Sequence, residues 1–216
     1  MDHNIKELTE RYPELSRLAE NLEKTIGAIC AAHRKGGKLL LAGSGGSAAD
    51  CDHIAGELLK EFKIKRSRDA GFDAKFLQLF PGDGALLQKL SRGVRAVSLA
   101  WGDGINSALI NDTGAEMYFA QKVYAMAVTG DVFLAVSTSG NSAALLAAVK
   151  TAKAAGCTVV ALTGRTGGKL KEYADILLNV PRDETYKVQE LHLPVYHCIC
   201  AAAEERLFLK DIEIDG

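Results

Sequence analysis

The stretch Lys38-Leu-Leu-Leu-Ala-Gly-Ser-Gly-Gly-Ser47 contains the junction that decides the fold. Its first half is a short apolar run typical of a buried strand, and glycines and serines follow at once. A helical pattern then continues to about residue 62. The stretch Val132-Phe-Leu-Ala-Val-Ser-Thr-Ser-Gly-Asn-Ser142 repeats the same order of features. A buried strand that turns directly into a helix is typical of parallel α/β sheets.

Strands and helices alternate along the rest of the chain. Five apolar strands are predicted, at 38–42, 96–99, 132–136, 158–162 and 177–180. Further helices are predicted at about 4–34, 104–127, 142–155 and 184–207. Because Val- and Leu-rich strands separated by helices favour a parallel sheet covered on both faces, we predict a doubly wound, flavodoxin-like α/β/α sandwich. Residues 1–216 are interpreted as a single domain that starts with a long N-terminal helix over 1–35.

Two features interrupt this regular pattern. Residues 63–95 mix basic side chains with an apolar patch and the turn Pro81–Gly84, which predicts an insertion carrying one or two short helices. Pro13 is expected to kink the N-terminal helix or to split off its first turns.

The composition excludes several classes of protein. Lys plus Arg is 26 against 27 for Asp plus Glu, and proteins that bind nucleic acid by neutralising phosphates carry a basic excess. No apolar run reaches the roughly 18 residues of a membrane helix, and the N-terminus has no signal-peptide pattern. We therefore expect a cytoplasmic protein with no nucleic-acid or membrane partner. The five cysteines are odd in number and lack a CxxC motif, which argues against a disulfide framework. Most of them lie among Ala, Ile and Val, so we expect these to be buried apolar residues.

The two Gly/Ser-rich loops predict a phosphate site. Each follows a strand and precedes a helix, where unpaired backbone N–H groups and hydroxyls attract an anion. The same residue types also form ordinary helix caps, but the four hydroxyls within 137–142 exceed what capping requires.

Two nucleotide motifs are matched only weakly. Gly43-x-Gly45-x-x-Ala48 has the form of a dinucleotide fingerprint, but no acidic residue follows at the distance that ribose binding requires. The run 164–170 resembles a P-loop with short spacing and Leu170 in place of the required Ser or Thr.

Candidate acid–base residues lie on two predicted helices. His53 and Glu57 are four residues apart and share one helix face, while Gln189 and His197 lie on the last helix. Such side chains could transfer protons beside a sugar carbonyl or ligate zinc. Exposed His–Glu pairs at this spacing are also common, so the spacing alone leaves both interpretations open.

In combination these motifs resemble the sedoheptulose 7-phosphate (phosphoheptose) isomerase family of sugar-isomerase, or SIS, domains. The resemblance runs from about 38 to 207 apart from the insertion, and the motifs occur in matching order: 41–47, His53 with Glu57, Asn111-Asp112, 137–142, 162–164, and Gln189-Glu-x-His192 followed by His197.

The resemblance implies an aldose–ketose isomerase. Its substrate would be D-sedoheptulose 7-phosphate, converted through an enediol(ate) to D-glycero-D-manno-heptose 7-phosphate, a precursor of surface polysaccharide such as lipopolysaccharide. Glu57 would be the base and His197 the acid. The substrate-binding residues would be Ser44, Gly45, Gly46, Ser47, Asn111, Asp112, Ser137, Thr138, Ser139, Ser142 and Gln189.

The resemblance also implies a metal and an oligomer. One Zn²⁺ per site would be held by His53, Glu57, Gln189 and His197, and the enzyme would be a homotetramer with sites at subunit interfaces. On an ideal helix His197 aligns with Glu190, seven residues back, more closely than with Gln189, so Glu190 is a geometric rival. Pro194 is expected to kink the last helix between them.

The chain departs from the family pattern at two positions near these residues. Ser44 stands where asparagine is common. Glu61 stands where arginine is common, and Lys60 or Arg66 could supply the missing basic contact.

Two other functions use the same fold. One is a non-catalytic SIS-domain partner of the bacterial replication initiator, and the other is a phosphosugar-sensing domain. The presence of both Glu57 and His197 favours the enzyme.

Overall fold

Five parallel strands form the centre of the structure. They are β1 (Leu39–Gly43), β2 (Ala96–Ser98), β3 (Val132–Ser137), β4 (Thr158–Thr163) and β5 (Ile176–Asn179). The computed structural model describes residues 2–212, and within them the strand order is β2-β1-β3-β4-β5, with every neighbouring pair parallel. This order is the flavodoxin-like one, so the predicted fold class is confirmed.

Helices cover both faces of the sheet. They are α1 (His3–Arg11), α2 (Ala19–Arg34), α3 (Gly46–Leu59), α4 (Ala70–Leu79), α5 (Gly84–Leu87), α6 (Asp103–Thr113), α7 (Tyr118–Met126), α8 (Ala143–Ala154) and α9 (Thr185–Ile212). Two short 3₁₀ helices lie at Pro13–Leu18 and Gly168–Glu172.

Alternate residues of each strand enter two separate cores, as a pleated strand requires. Leu41 of β1 packs on the side of α1, α2, α3 and α9. Leu40, its neighbour, packs on the opposite side with α7 and α8. The predicted site helices α3 and α9 therefore share one layer of the sandwich.

The N-terminal segment differs from the single long helix predicted over 1–35. Helix α1 ends at Arg11, Tyr12 leaves the helical conformation with φ −132° and ψ 76°, and Pro13 begins a 3₁₀ helix. The cause is the proline, because its ring disfavours helical geometry in the residue before it. The long helix lies instead at the C-terminal end, where α9 spans 28 residues and continues through Pro194 without ending there.

The segment 63–95 contains α4 and α5, in agreement with the predicted short helices. No residue of α4 is buried. Arg66 anchors the segment to the body of the fold, since its side chain and that of Glu204 on α9 are both fully buried and 2.8 Å apart.

All five cysteines, which lie within the described residues, are free, as predicted, and all are buried, as predicted for most of them. Over residues 2–212 no helix combines the length and the apolar character needed to cross a bilayer.

Candidate active site

The two Gly/Ser-rich loops lie at the same edge of the sheet. They follow the carboxyl ends of β1 and β3, which pair directly with Gly43 beside Val136. Gly43 is required by close packing, because a Cβ there would lie 2.5 Å from the carbonyl oxygen of Ser47. Ser47 is buried, whereas Ser44 is exposed and hydrogen-bonds the Tyr118 hydroxyl. Both predicted loops therefore meet where ligands bind in open α/β sheets.

The loop 137–142 is held in shape by its own hydroxyls. Ser137 Oγ accepts a hydrogen bond from Gly140 N at 3.1 Å, and Ser139 Oγ accepts one from Asn141 N at 3.2 Å. Ser142 Oγ accepts from Leu145 N at 3.4 Å and so caps α8. Each hydroxyl acts here as an acceptor, which leaves its own proton available for a ligand. The loop can therefore present several donors to a phosphate together with the N-terminus of α8.

The P-loop-like run 164–170 supports this loop. Gly140 has φ +66°, and a Cβ there would lie 2.2 Å from the carbonyl oxygen of Gly167. A Cβ on Gly168 would lie 2.3 Å from the carbonyl oxygen of Ser139. Thr138, half-buried, accepts a backbone hydrogen bond from Gly164 at 3.0 Å. The glycines of the run thus let two backbone segments touch.

Helices α3 and α9 lie side by side and run parallel. Near their starts, the side-chain amide of Gln189 lies against Gly46, where a Cβ would be 2.5 Å from Nε2. Further along, the Tyr196 hydroxyl lies 3.0 Å from His53 Nδ1. Glu204 then binds the backbone that follows α3. Because these contacts advance in the same direction along both helices, the common rise of about 1.5 Å per residue keeps them in register.

This register brings the predicted acid–base residues together within one chain. His53 Nε2 lies 3.2 Å from Glu57 Oε1, one helical turn later. The His197 ring stands edge-on to the His53 ring, with centroids 5.1 Å apart and an interplanar angle of 82°. A carboxylate and two imidazoles therefore form one cluster.

One oxygen of the Glu57 carboxylate has no hydrogen-bond partner. Its side chain is 13% exposed, and its Oε2 atom is buried without a hydrogen-bond partner, with Lys60 Nζ at 3.7 Å. A buried acceptor without a partner is costly, so this atom marks the direction from which a ligand could bind. Burial and the nearby His53 lower the pKa of His197, which keeps its imidazole neutral at pH 7.

Three of the four predicted metal ligands share this cluster. The nitrogen and oxygen donors of His53, Glu57 and His197 are of the type that zinc prefers, and Glu57 Oε2 is unpaired. In the described part of the chain, however, no three or more His, Cys, Asp or Glu side chains are arranged to hold a metal ion. Gln189, the fourth predicted ligand, lies against Gly46, which is about 10 Å before His53 along α3.

A cleft of about 300 Å³ opens beside His197, between α1 and α9. Glu190 and His197 both line it, together with Arg11 and Lys63. Glu190 and His197 therefore face the same cleft from one side of α9, in line with their seven-residue spacing, whereas Gln189 faces Gly46.

Asn111 and Asp112 do not join this cluster. They are exposed on α6, which packs on α7 at the other face of the sheet, and Asn111 Nδ2 donates to Asp112 Oδ1 at 3.0 Å. Arg66 does not replace the missing arginine either, because its guanidinium is buried against Glu204 and backbone carbonyls. Lys60 Nζ lies 3.7 Å from the Glu57 carboxylate, whereas Arg66 reaches only the backbone carbonyl of Glu57.

Two residues that contact the site were not predicted. Tyr196 is fully buried, and its hydroxyl contacts both Asp50 and His53. Asp50 precedes His53 by three residues on the same face of α3, and this spacing could have revealed it. Tyr196 could not be found in this way, because its contacts cross between distant parts of the chain.

Comparisons with known proteins show which family and which solved structures the chain resembles. A model of the SIS domain matches residues 88–164. The phosphoheptose isomerase of Burkholderia pseudomallei (strain 1710b) is 39% identical over 194 residues, which are 90% of this chain and 86% of that protein. The solved phosphoheptose isomerase from Neisseria gonorrhoeae has a TM-score of 0.71 and 31% identity, covering 93% of this chain and 91% of its own. The enzyme from Francisella tularensis gives 0.72 and 25%, with 90% of both chains covered.

Proposed function

The chain belongs to the phosphoheptose isomerase family, and we propose that it converts D-sedoheptulose 7-phosphate to D-glycero-D-manno-heptose 7-phosphate. The reaction is an aldose–ketose isomerisation through an enediol(ate). The observation that carries the proposal is the contact between the His53–Glu57 pair and His197, with one buried oxygen of Glu57 left for a ligand. A binding module that performs no chemistry has no need of this cluster.

The cluster supplies the two proton transfers that the reaction requires. Glu57 takes a proton from C1 of the ketose, which gives the enediolate, and returns a proton to C2 to form the aldose. His197 moves a proton between the oxygens on C1 and C2, a task for which an imidazole with a lowered pKa is suited.

The loop 137–142 binds the phosphate of the substrate in this proposal. Hydroxyl protons of Ser137, Ser139 and Ser142, with that of Ser47 from the first loop, donate to phosphate oxygens. The N-terminus of α8 adds a favourable dipole.

We also propose that the site holds one zinc ion. His53, Glu57 and His197 would be its ligands, whereas Gln189 of the same chain lies against Gly46, away from these three side chains. When bound, the ion supplies Lewis-acid stabilisation of the enediolate oxygens. The donor types and the unpaired Glu57 oxygen support this assignment.

The spacing along α3 supports a site shared between subunits of a homotetramer. Ser47 and Glu57 are ten residues apart, which is about 15 Å along a helix. This is a long span for one heptose phosphate, so we assign the phosphate loop and the acid–base cluster of a given site to different copies of the chain. Asn111 and Asp112, exposed on α6, would contact the sugar in the same shared site. The whole chain would form one SIS domain acting in the cytoplasm, on the route to surface-polysaccharide precursors.

A discontinuous assay of heptose 7-phosphate formation tests the proposal. Glu57→Gln and His197→Gln should each lower kcat by about 10²–10⁴-fold, because each removes one proton-transfer group. His3→Gln is the control, since that side chain is 67% exposed. Wild-type protein with added zinc that turned over no faster than the two variants would contradict the proposal.

A second variant tests the phosphate loop separately. Ser137→Ala combined with Ser139→Ala should raise KM sharply, because both hydroxyl donors to the phosphate are lost. Unchanged kinetics would remove the loop from the site.

A further inference from the structure

Trp101 is the only tryptophan of the chain, and it follows β2 at the carboxyl ends of the strands, where ligands bind in such sheets. Leu99 still donates its backbone N–H to the Leu41 carbonyl oxygen at 2.7 Å, so the chain leaves the sheet directly before Trp101. β1 separates β2 from β3, and neighbouring strands are about 4.8 Å apart. The segment 99–102 therefore starts about 10 Å from the loop 137–142, within the reach of one sugar phosphate.

The backbone around Trp101 is held at every residue. Four successive carbonyl oxygens, those of residues 99–102, accept hydrogen bonds. Lys122 Nζ donates to the first and the third of them, both at 2.7 Å. Asn106 donates to the second through its side-chain amide at 3.1 Å and to the fourth through its backbone N–H at 2.9 Å. A loop bound in this way presents its side chain in a fixed position.

The Lys122 ammonium is an unusual anchor, because its hydrogen-bond partners are neutral oxygens. The residue is 4% exposed, and its third donor goes to Asn106 Oδ1 at 2.6 Å, so all three N–H groups are used. Burial lowers the pKa of Lys122, and a buried charge that has only neutral partners costs free energy. Folds accept such costs mainly at functional sites, where the position of a side chain matters.

The indole ring of Trp101 is fixed on one side and open elsewhere. Lys122 Nζ lies 4.8 Å from the ring centroid, in a cation–π contact, while 49% of the residue stays exposed. The same ammonium lies 6.0 Å from the centroid of the Tyr118 ring, whose hydroxyl hydrogen-bonds Ser44 in the first Gly/Ser-rich loop. A preset aromatic surface therefore lies beside the loops that bind phosphate in the proposed function.

We propose that Trp101 is a substrate-binding residue on which the C–H groups of the sugar chain pack, and that Lys122 is the positioning residue that holds the indole in place. A sugar phosphate has both parts that suit this surface: an anion for the loops and a carbon chain for the ring. Binding sites commonly combine an aromatic wall with a few polar groups in this way. The inference rests on the proposed function and adds a contact to the sugar, from the same copy of the chain as the loop 137–142.

Trp101 reports on its own contacts, since no other tryptophan contributes to the fluorescence. The emission is excited at wavelengths that tyrosine does not absorb, in Glu57→Gln protein so that the ligand is not turned over. Saturating sedoheptulose 7-phosphate should shift the emission to shorter wavelength and protect the indole from quenching by acrylamide. Saturating inorganic phosphate should leave both unchanged, because it has no carbon chain that reaches the ring.

Steady-state kinetics give a second readout. Trp101→Ala should raise KM for sedoheptulose 7-phosphate roughly tenfold and leave kcat and the inhibition by inorganic phosphate unchanged. Tenfold corresponds to about 1.4 kcal/mol, which is what covering about 60 Å² of apolar surface supplies. Trp101→Phe should recover most of the affinity. Tyr124→Ala is the matched control, because that aromatic side chain on α7 is 78% exposed, and it should leave KM unchanged.

Lys122→Met tests the positioning role. In ligand-free protein it should lower the fluorescence anisotropy of Trp101, because the indole loses its anchor, and it should raise KM without changing kcat. Lys150→Met is the control, since that ammonium also lies 4.9 Å from the centroid of an aromatic ring, that of Tyr173, but on α8. Asn106→Ala removes one partner from the same network and should have a smaller effect in the same direction. Circular dichroism verifies that each variant is folded.

The possible failures are distinguishable. Unchanged Trp101 emission on binding of sedoheptulose 7-phosphate, together with an unchanged KM in Trp101→Ala, would overturn the inference. An indole already shielded from acrylamide in ligand-free protein would also overturn it, because Trp101 would then lie in a contact between copies of the chain. An emission shift with sedoheptulose 7-phosphate in wild-type protein that formed no heptose 7-phosphate would contradict the isomerase activity and support the sugar-binding surface.

Discussion

Replacing Glu204 by glutamine should lower the free energy of unfolding by about 3–5 kcal/mol, the usual cost of removing one partner from a buried ion pair. Both the Glu204 and Arg66 side chains are fully buried. The Glu204 carboxylate also accepts hydrogen bonds from the backbone N–H groups of Phe62 at 2.8 Å and Lys63 at 2.7 Å. Glutamine would leave Arg66 charged without a counterion and would turn an NH₂ group toward these donors.

The opposite change, Arg66→Met, should also destabilise the fold, but it leaves no charge that must stay unpaired. A lone buried carboxylate can be neutralised by taking up a proton, whereas arginine cannot lose its own. Of the three backbone carbonyls that accept hydrogen bonds from Arg66, those of Glu57 and Arg92 would lose this donor, whereas that of Leu58 keeps the backbone N–H of Val94 at 2.9 Å. The cost therefore remains measurable, at about 1–3 kcal/mol for each buried group left unpaired that water cannot reach.

Urea unfolding followed by circular dichroism, at one fixed protein concentration, measures both variants. For a chain of this size, the Glu204→Gln loss corresponds to a fall in Tm of roughly 6–20 °C. Glu20→Gln is the control, because that carboxylate lies on the surface beside Lys24 and its removal should leave the unfolding curve almost unchanged. A Glu204→Gln curve that coincided with this control would refute the reasoning.

Three further predictions concern single residues. His192 is fully buried, and burial lowers its pKa to about 4. The free energy of unfolding should therefore fall by about 3 kcal/mol as the pH drops from about 6.5 to 4, because in this range the unfolded chain binds a proton at His192 and the folded chain does not. Urea unfolding of His192→Gln should lack this part of the pH dependence. Gly140→Ala should destabilise the fold by more than about 1 kcal/mol and raise KM. Alanine is strained at φ +66°, and its Cβ would collide with the Gly167 carbonyl oxygen. Steady-state kinetics with an unchanged KM would contradict this prediction. Ser142→Ala should cost about 1 kcal/mol in thermal or urea unfolding through loss of the α8 cap, whereas Ser142→Asp should keep the cap and most of the stability.

The sheet and its two loops could be predicted because their signals are local. The run 38–42 is apolar without interruption, and the Gly/Ser clusters directly follow it and its counterpart at 132–136. Each predicted strand lies within about two residues of an observed one. Pro13 likewise gave a local reason for the break that the structure shows after Arg11.

The arrangement of the site could be predicted only in part. His53 and Glu57 are one turn apart, so their contact follows from helix geometry alone. The position of Gln189 depends on how α9 packs on α3, which no spacing within either helix specifies. The sequence places Arg66 among the basic residues of an insertion, but in the structure it is buried and donates a hydrogen bond to Glu204, 138 residues away. Contacts between distant parts of the chain decide these cases.

The backbone contact between the loop 137–142 and the glycines at 167–168 has a consequence for affinity. The two backbones pack directly on each other at these glycines, and Asn141 Oδ1 accepts a hydrogen bond from the Lys169 N–H at 3.0 Å, so each segment holds the other in place. The conformational entropy of ordering the loop is then lost during folding rather than during binding. In the proposed function, phosphate binding would therefore draw on preorganised donors, and even a small anion would gain most of their interaction energy.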